Sequence, residues 1–236
     1  MKVVFKTLAV AVVLVFALAA CNRKPAFVNP GENGSRTKDE VGFQFELPQE
    51  GEEIAVLHTA LGDIKIRLFP KSAPLGVANF KQLIESGYYT EKTFHRATYF
   101  CIQGGSENGD GTGGTSAWGK PFEFEFNQNL RHFRGALSYA NTGKPNTNDC
   151  QFFVVTPSAV SEENMESYKS KMTIEKTLAL YEEHGGEPWL DDAYTVFGQV
   201  FEGMEVVDAI GAMETESDIL KEPIAITGAE LVKYQK

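Results

Sequence analysis

The sequence predicts a mainly β fold, a closed antiparallel barrel. Short segments of alternating polarity follow one another as in a meander, helical periodicity is confined to a few stretches, and a glycine-rich loop separates two groups of strands. The chain has 236 residues, and about two hundred would remain after removal of a leader, the size of one domain with its own core.

The first residues read as an export signal. Lys2 and Lys6 precede an apolar run from Leu8 to Ala20, which at thirteen residues is short of the roughly twenty that a membrane-spanning helix needs. Residues 1–20 are therefore expected to be cleaved. Leu18-Ala19-Ala20-Cys21 resembles the lipobox of bacterial lipoproteins, which implies a lipid on the Cys21 sulfur and an acylated amino terminus. Because one acyl chain holds a protein only marginally, the several chains implied here would anchor it in a bacterial membrane of the cell envelope, facing the periplasm. From Asn22 to Glu50 the chain is rich in Pro, Gly, Asn and charge, with only Phe43 and Phe45 suited to packing. Residues 21–51 are expected to be a flexible tether and 52–236 the folded domain.

Within the domain, Ile54, Val56 and His58, then Ile64, Ile66 and Leu68 alternating with Lys65 and Arg67, predict a hairpin turning at Leu61-Gly62-Asp63. Pro74 can open a helix whose apolar stripe is Val77, Phe80 and Ile84 and whose stop is Gly87. A strand pair is expected around Phe94 to Gly105. Gly104 to Gly119 holds seven glycines. Gly109 to Gly114 matches G-x-G-x-x-G formally, but Thr115 to Pro121 does not read as the helix that fingerprint requires. Gly114 to Pro121 likewise fails as a phosphate-binding loop, because Pro121 stands where Ser or Thr must follow Lys120. Both nucleotide readings are rejected in favour of a surface loop. Phe122, Phe124 and Phe126 alternate with Glu123 and Glu125 in a strand-like pattern, and further strands are expected at Gly135 to Ala140, Gln151 to Val155, Tyr194 to Val200 and Ile224 to Lys233. Between Ser158 and Pro188, Met165, Tyr168 and Met172, then Ile174, Leu178 and Tyr181, recur at helical spacing before Gly185-Gly186, predicting one or two inserted helices. Glu202 to Gly211 reads as a short helix with Val206, Val207 and Ile210 inward.

The formal charge is −10, and without Lys2 and Lys6 it is −12. That excess of acid argues against nucleic acid as a partner, since phosphate binding rests on Lys and Arg. Cys101 and Cys150 each adjoin an apolar run and are expected as buried free thiols. His58, His95, His132 and His184 lack metal-ligand spacing. Arg96, by contrast, stands among Phe94, Phe100 and Gln103. A stacked surface arginine is one reading of that setting. The other is a functional guanidinium held by Gln103 and Gln151 near the apolar walls of Phe153 and Trp189-Leu190, since burying such a charge is costly unless it is paired. Ser138, His95 and the carboxylates form no recognisable acid–base or nucleophilic set.

Phe94-His95-Arg96, Gln103-Gly104-Gly105, Gly111 to Gly114, Leu137-Ser138 with Ala140-Asn141, Pro145 to Asn148, Gln151-Phe152-Phe153 and Trp189-Leu190-Asp191 with Val196-Phe197-Gly198 together resemble the cyclophilins, over about Glu52 to Val232. The resemblance implies a closed eight-stranded antiparallel barrel capped by two helices, here with the 158–188 helical insertion. It also implies peptidyl-prolyl cis-trans isomerase activity on proline-containing polypeptides, without a cofactor. Carried over by position, it makes Arg96 the catalytic group. Phe100, Cys101, Phe153 and Leu190 would line the proline pocket, Gln103 and Gln151 would steady Arg96 or meet substrate, Ala140 and Asn141 would bind the peptide backbone, and Trp189 and Tyr194 would form the rim. Three residues separate Arg96 from Phe100 where the family usually has four, which leaves open a module that binds proline segments without turning them over. A platform for a partner, built on the inserted helices, is a third reading.

Overall fold

The computed structural model describes residues 41–144, 146–172 and 174–236. The expected leader, Cys21, most of the expected tether and Pro145 lie outside them. The strands are β1 (Glu53–Thr59), β2 (Gly62–Leu68), β3 (Thr93–Ala97), β4 (Cys101–Gly104), β5 (Ala136–Tyr139), β6 (Phe152–Val155), β7 (Val196–Glu202), β8 (Thr215–Glu216) and β9 (Ile219–Lys233). All pairings are antiparallel. They run β1-β2-β7-β5-β6-β4-β3-β9, and β9 returns to β1, so eight of these strands close a barrel while β8 is a short arm on β9. Closure removes the open edges that would otherwise expose unpaired N–H and C=O groups.

The alternation in β2 turns Ile64, Ile66 and Leu68 into the core and leaves Lys65 and Arg67 outward, with Leu57 of β1 opposite Ile64 and Ala55 opposite Ile66. The helix α1 (Pro74–Glu85) begins at its proline, and Gly87 follows it with φ of 74°. Its Phe80 meets Phe152 of β6 and Phe197 of β7. The helices α2 (Glu162–Lys169) and α3 (Glu175–His184) form the insertion, and α4 (Met204–Gly211) turns Val206, Val207 and Ile210 into the core, where Val206 abuts Gly62. No helix among the described residues is long and apolar enough to cross a membrane. Cys101 and Cys150 are buried and free.

The order begins earlier than residue 52. A 3-10 turn over Phe43–Phe45 packs on the domain, with Val41 and Gln44 buried. Composition could not reveal this, because the partners are distant: Gln44 donates to Arg131 O and Gln199 Oε1 at 3.0 and 3.1 Å and accepts from Arg131 N at 2.7 Å. The last strand is also longer than expected, starting at Ile219.

The alternating segment around Phe122 to Phe126 is a further correction. It forms no strand beyond a bridge from Phe122 to Asn148, and its alternation breaks at the far end: Phe122 is buried as expected, but Phe126 is 46% exposed and Glu125 4%. Glu125 turns inward to cap α1. Its two carboxylate oxygens accept from Leu75 N at 2.9 Å and Gly76 N at 2.7 Å, serving N–H groups that no side chain of α1 reaches. Burial pushes the Glu125 carboxyl up to about 7 against the pull of those two donors. The folded protein therefore holds a proton that the unfolded chain releases near pH 4.5, so this group's contribution is full below that pH and is lost as pH rises through 7. Burial raises Asp149 and Glu187 too, with the same sign. Because the lowered pKa of buried His95 acts in the opposite direction over the same interval, the group is read by difference: urea unfolding at pH 5.5 and pH 8 should show Glu125→Gln losing less stability with rising pH than the unaltered protein, by a few kcal/mol at most, at about 1.36 kcal/mol per pKa unit. An equal pH dependence in the two proteins would contradict the assignment.

Candidate active site

A cleft of about 320 Å³ opens beside β3 and β4. Both pairings of β3 carry a bulge between Phe94 and Arg96, so that Phe94 faces Gly104 and Arg96 faces Gln103 with His95 as the extra residue. Such a bulge re-aims the side chains beside it. His95 turns fully inward, and Arg96, 33% exposed, turns into the cleft.

Arg96 is held on two sides. One terminal nitrogen donates to Gln103 Oε1 at 3.1 Å and the other to Asp218 Oδ2 at 3.2 Å. Gln103 Nε2 donates in turn to Gln151 Oε1 at 3.0 Å, and Gln151 Nε2 to Gly111 O at 3.0 Å. That relay orients each amide, leaving the Gln103 carbonyl free for the guanidinium.

The apolar side of the cleft is Phe100, Cys101 and Phe153. The short Arg96 to Phe100 connection is accommodated by Thr98, whose Oγ1 accepts from Phe100 N at 3.2 Å and Cys101 N at 3.1 Å, tightening the β3–β4 turn and setting Phe100 half-buried in the cleft. Burial pushes the Cys101 thiol up to about 12, so it serves as a small apolar wall rather than a thiolate. Ala140, Asn141 and Tyr194 complete the far side. Asn141 Nδ2 donates to Ala193 O at 3.1 Å and its Oδ1 accepts from Gly143 N at 2.9 Å, fixing the turn after β5. Tyr194 stands edge-on to Phe153 at 5.5 Å.

Three of the residues named from sequence lie around the cleft instead of lining it. Gln151 stands behind Gln103 in the relay. Leu190 is fully buried in the cluster that also holds Phe153, so it supports the wall from behind. Trp189 is 45% exposed and meets Phe100 edge-on at 5.2 Å, extending the rim. Cys21 lies outside the described residues.

Sequence reasoning missed His95, Asp110, Gly111, Asp218 and Ile219, all at the cleft or, for Asp218, at its arginine. The Gly111 backbone has φ of 89°, and a Cβ there would stand 3.4 Å from His95 Nε2. This close approach is one use of the glycine-rich loop. Burial lowers the pKa of His95, which favours neutral imidazole. Asp218 and Ser217 form a two-residue turn with φ of 69° and 52°, brought beside Arg96 by the pairing of β9 with β3.

Ser138 does meet a histidine and an acid, although not His95. His132 Nε2 lies 3.1 Å from Ser138 Oγ, and Nδ1 lies 2.9 Å from Asp191 Oδ1. The side chains of all three are buried and none lines the cleft, while Ser138 Oγ donates to Thr195 O at 2.9 Å. The set is therefore structural. Among the described residues no group of three or more His, Cys, Asp or Glu is placed to hold a metal ion.

A family model described as cyclophilin type peptidyl-prolyl cis-trans isomerase/CLD matches residues 54–231. A Staphylococcus aureus (strain USA300) protein named for peptidyl-prolyl cis-trans isomerase activity is 42% identical over 163 residues, covering 69% of this chain and 82% of that protein. A Staphylococcus saprophyticus protein named in the same way is 42% identical over 169 residues, covering 71% and 85%. The crystal structure of a cyclophilin type peptidyl-prolyl cis-trans isomerase from Cryptosporidium parvum superposes with a TM-score of 0.63 at 29% identity, covering 78% of this chain and 99% of that one. A second structure of that protein, in the presence of the dipeptide Ala-Pro, gives 0.61 at the same identity and coverage.

Proposed function

The chain belongs to the cyclophilin-type peptidyl-prolyl cis-trans isomerases, and on that footing we propose that it turns Xaa-Pro bonds of exported polypeptides with Arg96 as the catalytic group. The observation that carries the residue assignment is a braced guanidinium, tied to Gln103 and Asp218, beside the apolar wall of Phe100 and Phe153.

Rotation about an imide bond is opposed by resonance between nitrogen and carbonyl, with a barrier of ~18–20 kcal/mol for peptide bonds. No bond is made or broken. In the twisted state the nitrogen regains its lone pair and becomes a better acceptor. Arg96 can donate to it without any risk of losing its own proton. The interaction is strong only when the bond is twisted, so it lowers the barrier without equal stabilisation of the bound substrate. The proline ring packs against Phe100, Cys101 and Phe153, and the peptide backbone runs beside Ala140 and Asn141.

Asp218 orients Arg96 and also sets a negative charge beside it. Asp218→Asn keeps an acceptor and should retain kcat within about twofold, whereas Asp218→Ala, which frees one edge of the guanidinium, should lower kcat by roughly three- to tenfold. Equal kcat for Asp218→Ala and the unaltered protein would exclude a role in orientation. The enzyme assignment itself is tested by isomerisation of an Ala-Pro peptide with the full chain, where rates at the uncatalysed background would leave only a peptide binder.

The envelope location rests on the Lys2–Lys6 charge, the run from Leu8 to Ala20 and the Leu18-Ala19-Ala20-Cys21 sequence. In this reading the lipid on Cys21 anchors the domain to a bacterial membrane and the active cleft faces the periplasm. Cys21→Ser should move the protein from the membrane fraction. Recovery of the unaltered protein in the soluble cytoplasmic fraction would rule the anchor out.

A further inference from the structure

The insertion grips the pocket rim at two points. A 3-10 turn over Pro188–Leu190 carries Trp189 against Phe100 and Leu190 beneath Phe153. Just before it, Glu187 Oε2 accepts from Asn164 Nδ2 of α2 at 3.0 Å. Just after it, Asp191 Oδ2 accepts from the Tyr168 hydroxyl of α2 at 2.6 Å and the Tyr181 hydroxyl of α3 at 2.9 Å. The other oxygen of Asp191 accepts from His132 N and faces His132 Nδ1, and the His132 ring stacks beside Phe153 at 6.1 Å. The Asp191 side chain is 2% exposed, so its partners are protein groups rather than water.

The insertion also packs on residues 41–45 and on Phe133. Phe45 stacks on His184 at 3.8 Å and packs on Phe133 at 5.1 Å, and Val41 joins Met165, Tyr168 and Tyr181 in one apolar cluster. The N-terminal segment, the helix pair and the rim are thus one continuous packed unit.

We propose that α2 and α3, locked down by Val41 to Phe45, position the Trp189–Leu190 rim for substrate, with Tyr168 and Tyr181 as positioning residues acting through Asp191. This rests on the reading of the cleft as the substrate site. Two hydroxyls converging on one carboxylate fix where Asp191 sits. Because Asp191 N donates to Pro188 O at 3.1 Å, that position sets the turn carrying the rim. Arg96 is held independently, by Gln103 and Asp218. Loss of the brace should therefore weaken binding and spare the chemical step.

The test measures, on the full chain, the Kd of a fluorescein-labelled Ala-Pro peptide by anisotropy and kcat for its isomerisation, well below the melting temperature. Tyr168→Phe with Tyr181→Phe should raise Kd by about three- to tenfold with kcat within about twofold. Val206→Ala, which opens the core where α4 meets Gly62 and touches neither the insertion nor the cleft, should lower the melting temperature with Kd unchanged. If the double variant does not fold, Tyr168→Phe alone decides, with a smaller rise in Kd expected. An unchanged Kd in every folded tyrosine variant overturns the brace, as does a rise in Val206→Ala equal to theirs. Were the unaltered protein to bind the peptide without turning it over, the isomerase reading would fall while Kd still reports on the brace.

Discussion

Arg96→Ala should lower kcat by roughly 10- to 10³-fold and leave KM within a few-fold. A charge-assisted hydrogen bond contributes ~1.5–3 kcal/mol in ordinary settings and more where water is excluded, and each ~1.36 kcal/mol is tenfold in rate. KM should hold because, in the proposed binding mode, the proline ring packs on Phe100 and Phe153 of the cleft, which the substitution leaves in place. Arg96→Lys should recover little. An ammonium lacks the planar fork that lets one edge meet Gln103 and another Asp218 while further N–H groups face the cleft. Peptide isomerisation measured over a range of substrate concentrations reads both constants. A kcat within twofold of the unaltered protein would remove Arg96 from the mechanism.

The largest expected loss of stability belongs to Asp191→Ala. It strips acceptors from the hydroxyls of Tyr168 and Tyr181 and from the backbone N–H of His132, and it also removes the carboxylate facing His132 Nδ1. Removing one partner of a buried charged network costs about 3–5 kcal/mol, since what remains is desolvated and unpaired. At about 2–4 °C per kcal/mol for a domain of this size, melting should fall by roughly 10 °C or more. The exposed pair Lys169–Glu182, 49% and 56% exposed, offers the contrast. Its loss should lower stability by no more than about 1 kcal/mol. Thermal melts of Asp191→Ala and Lys169→Ala compare the two directly, and equal shifts would show that Asp191 is not a hub.

What could be read from the sequence was what local pattern determines. The β1–β2 hairpin follows from alternation, α1 from Pro74, its apolar stripe and Gly87, and the insertion from helical spacing. Phe122 to Phe126 misled because Glu125 answers to buried N–H groups in the first turn of α1 that have no side-chain cap of their own, about fifty residues away. Gln44 was hidden for the same reason: a polar residue in a loop-like composition becomes core only when Arg131 and Gln199 arrive to satisfy it. At the cleft, an arginine set among aromatics made Arg96 with Gln103 and Gln151 one of two readings, and the family resemblance chose between them; no local pattern tells the two glutamines to form a relay. Asp218 carried no such signal. It is an exposed turn residue until β9 folds against β3, 122 positions from the arginine it holds. The helices of the insertion were legible, whereas their grip on Glu187 and Asp191 depends on side chains meeting in three dimensions.

Exchange spectroscopy by NMR on an Ala-Pro peptide, with the full chain present below stoichiometric amounts, tests the role of Arg96 most directly. Cis–trans exchange cross-peaks should appear with the unaltered protein and vanish with Arg96→Ala, while line broadening shows that the variant still binds the peptide. Exchange of equal rate in both proteins would contradict the mechanism.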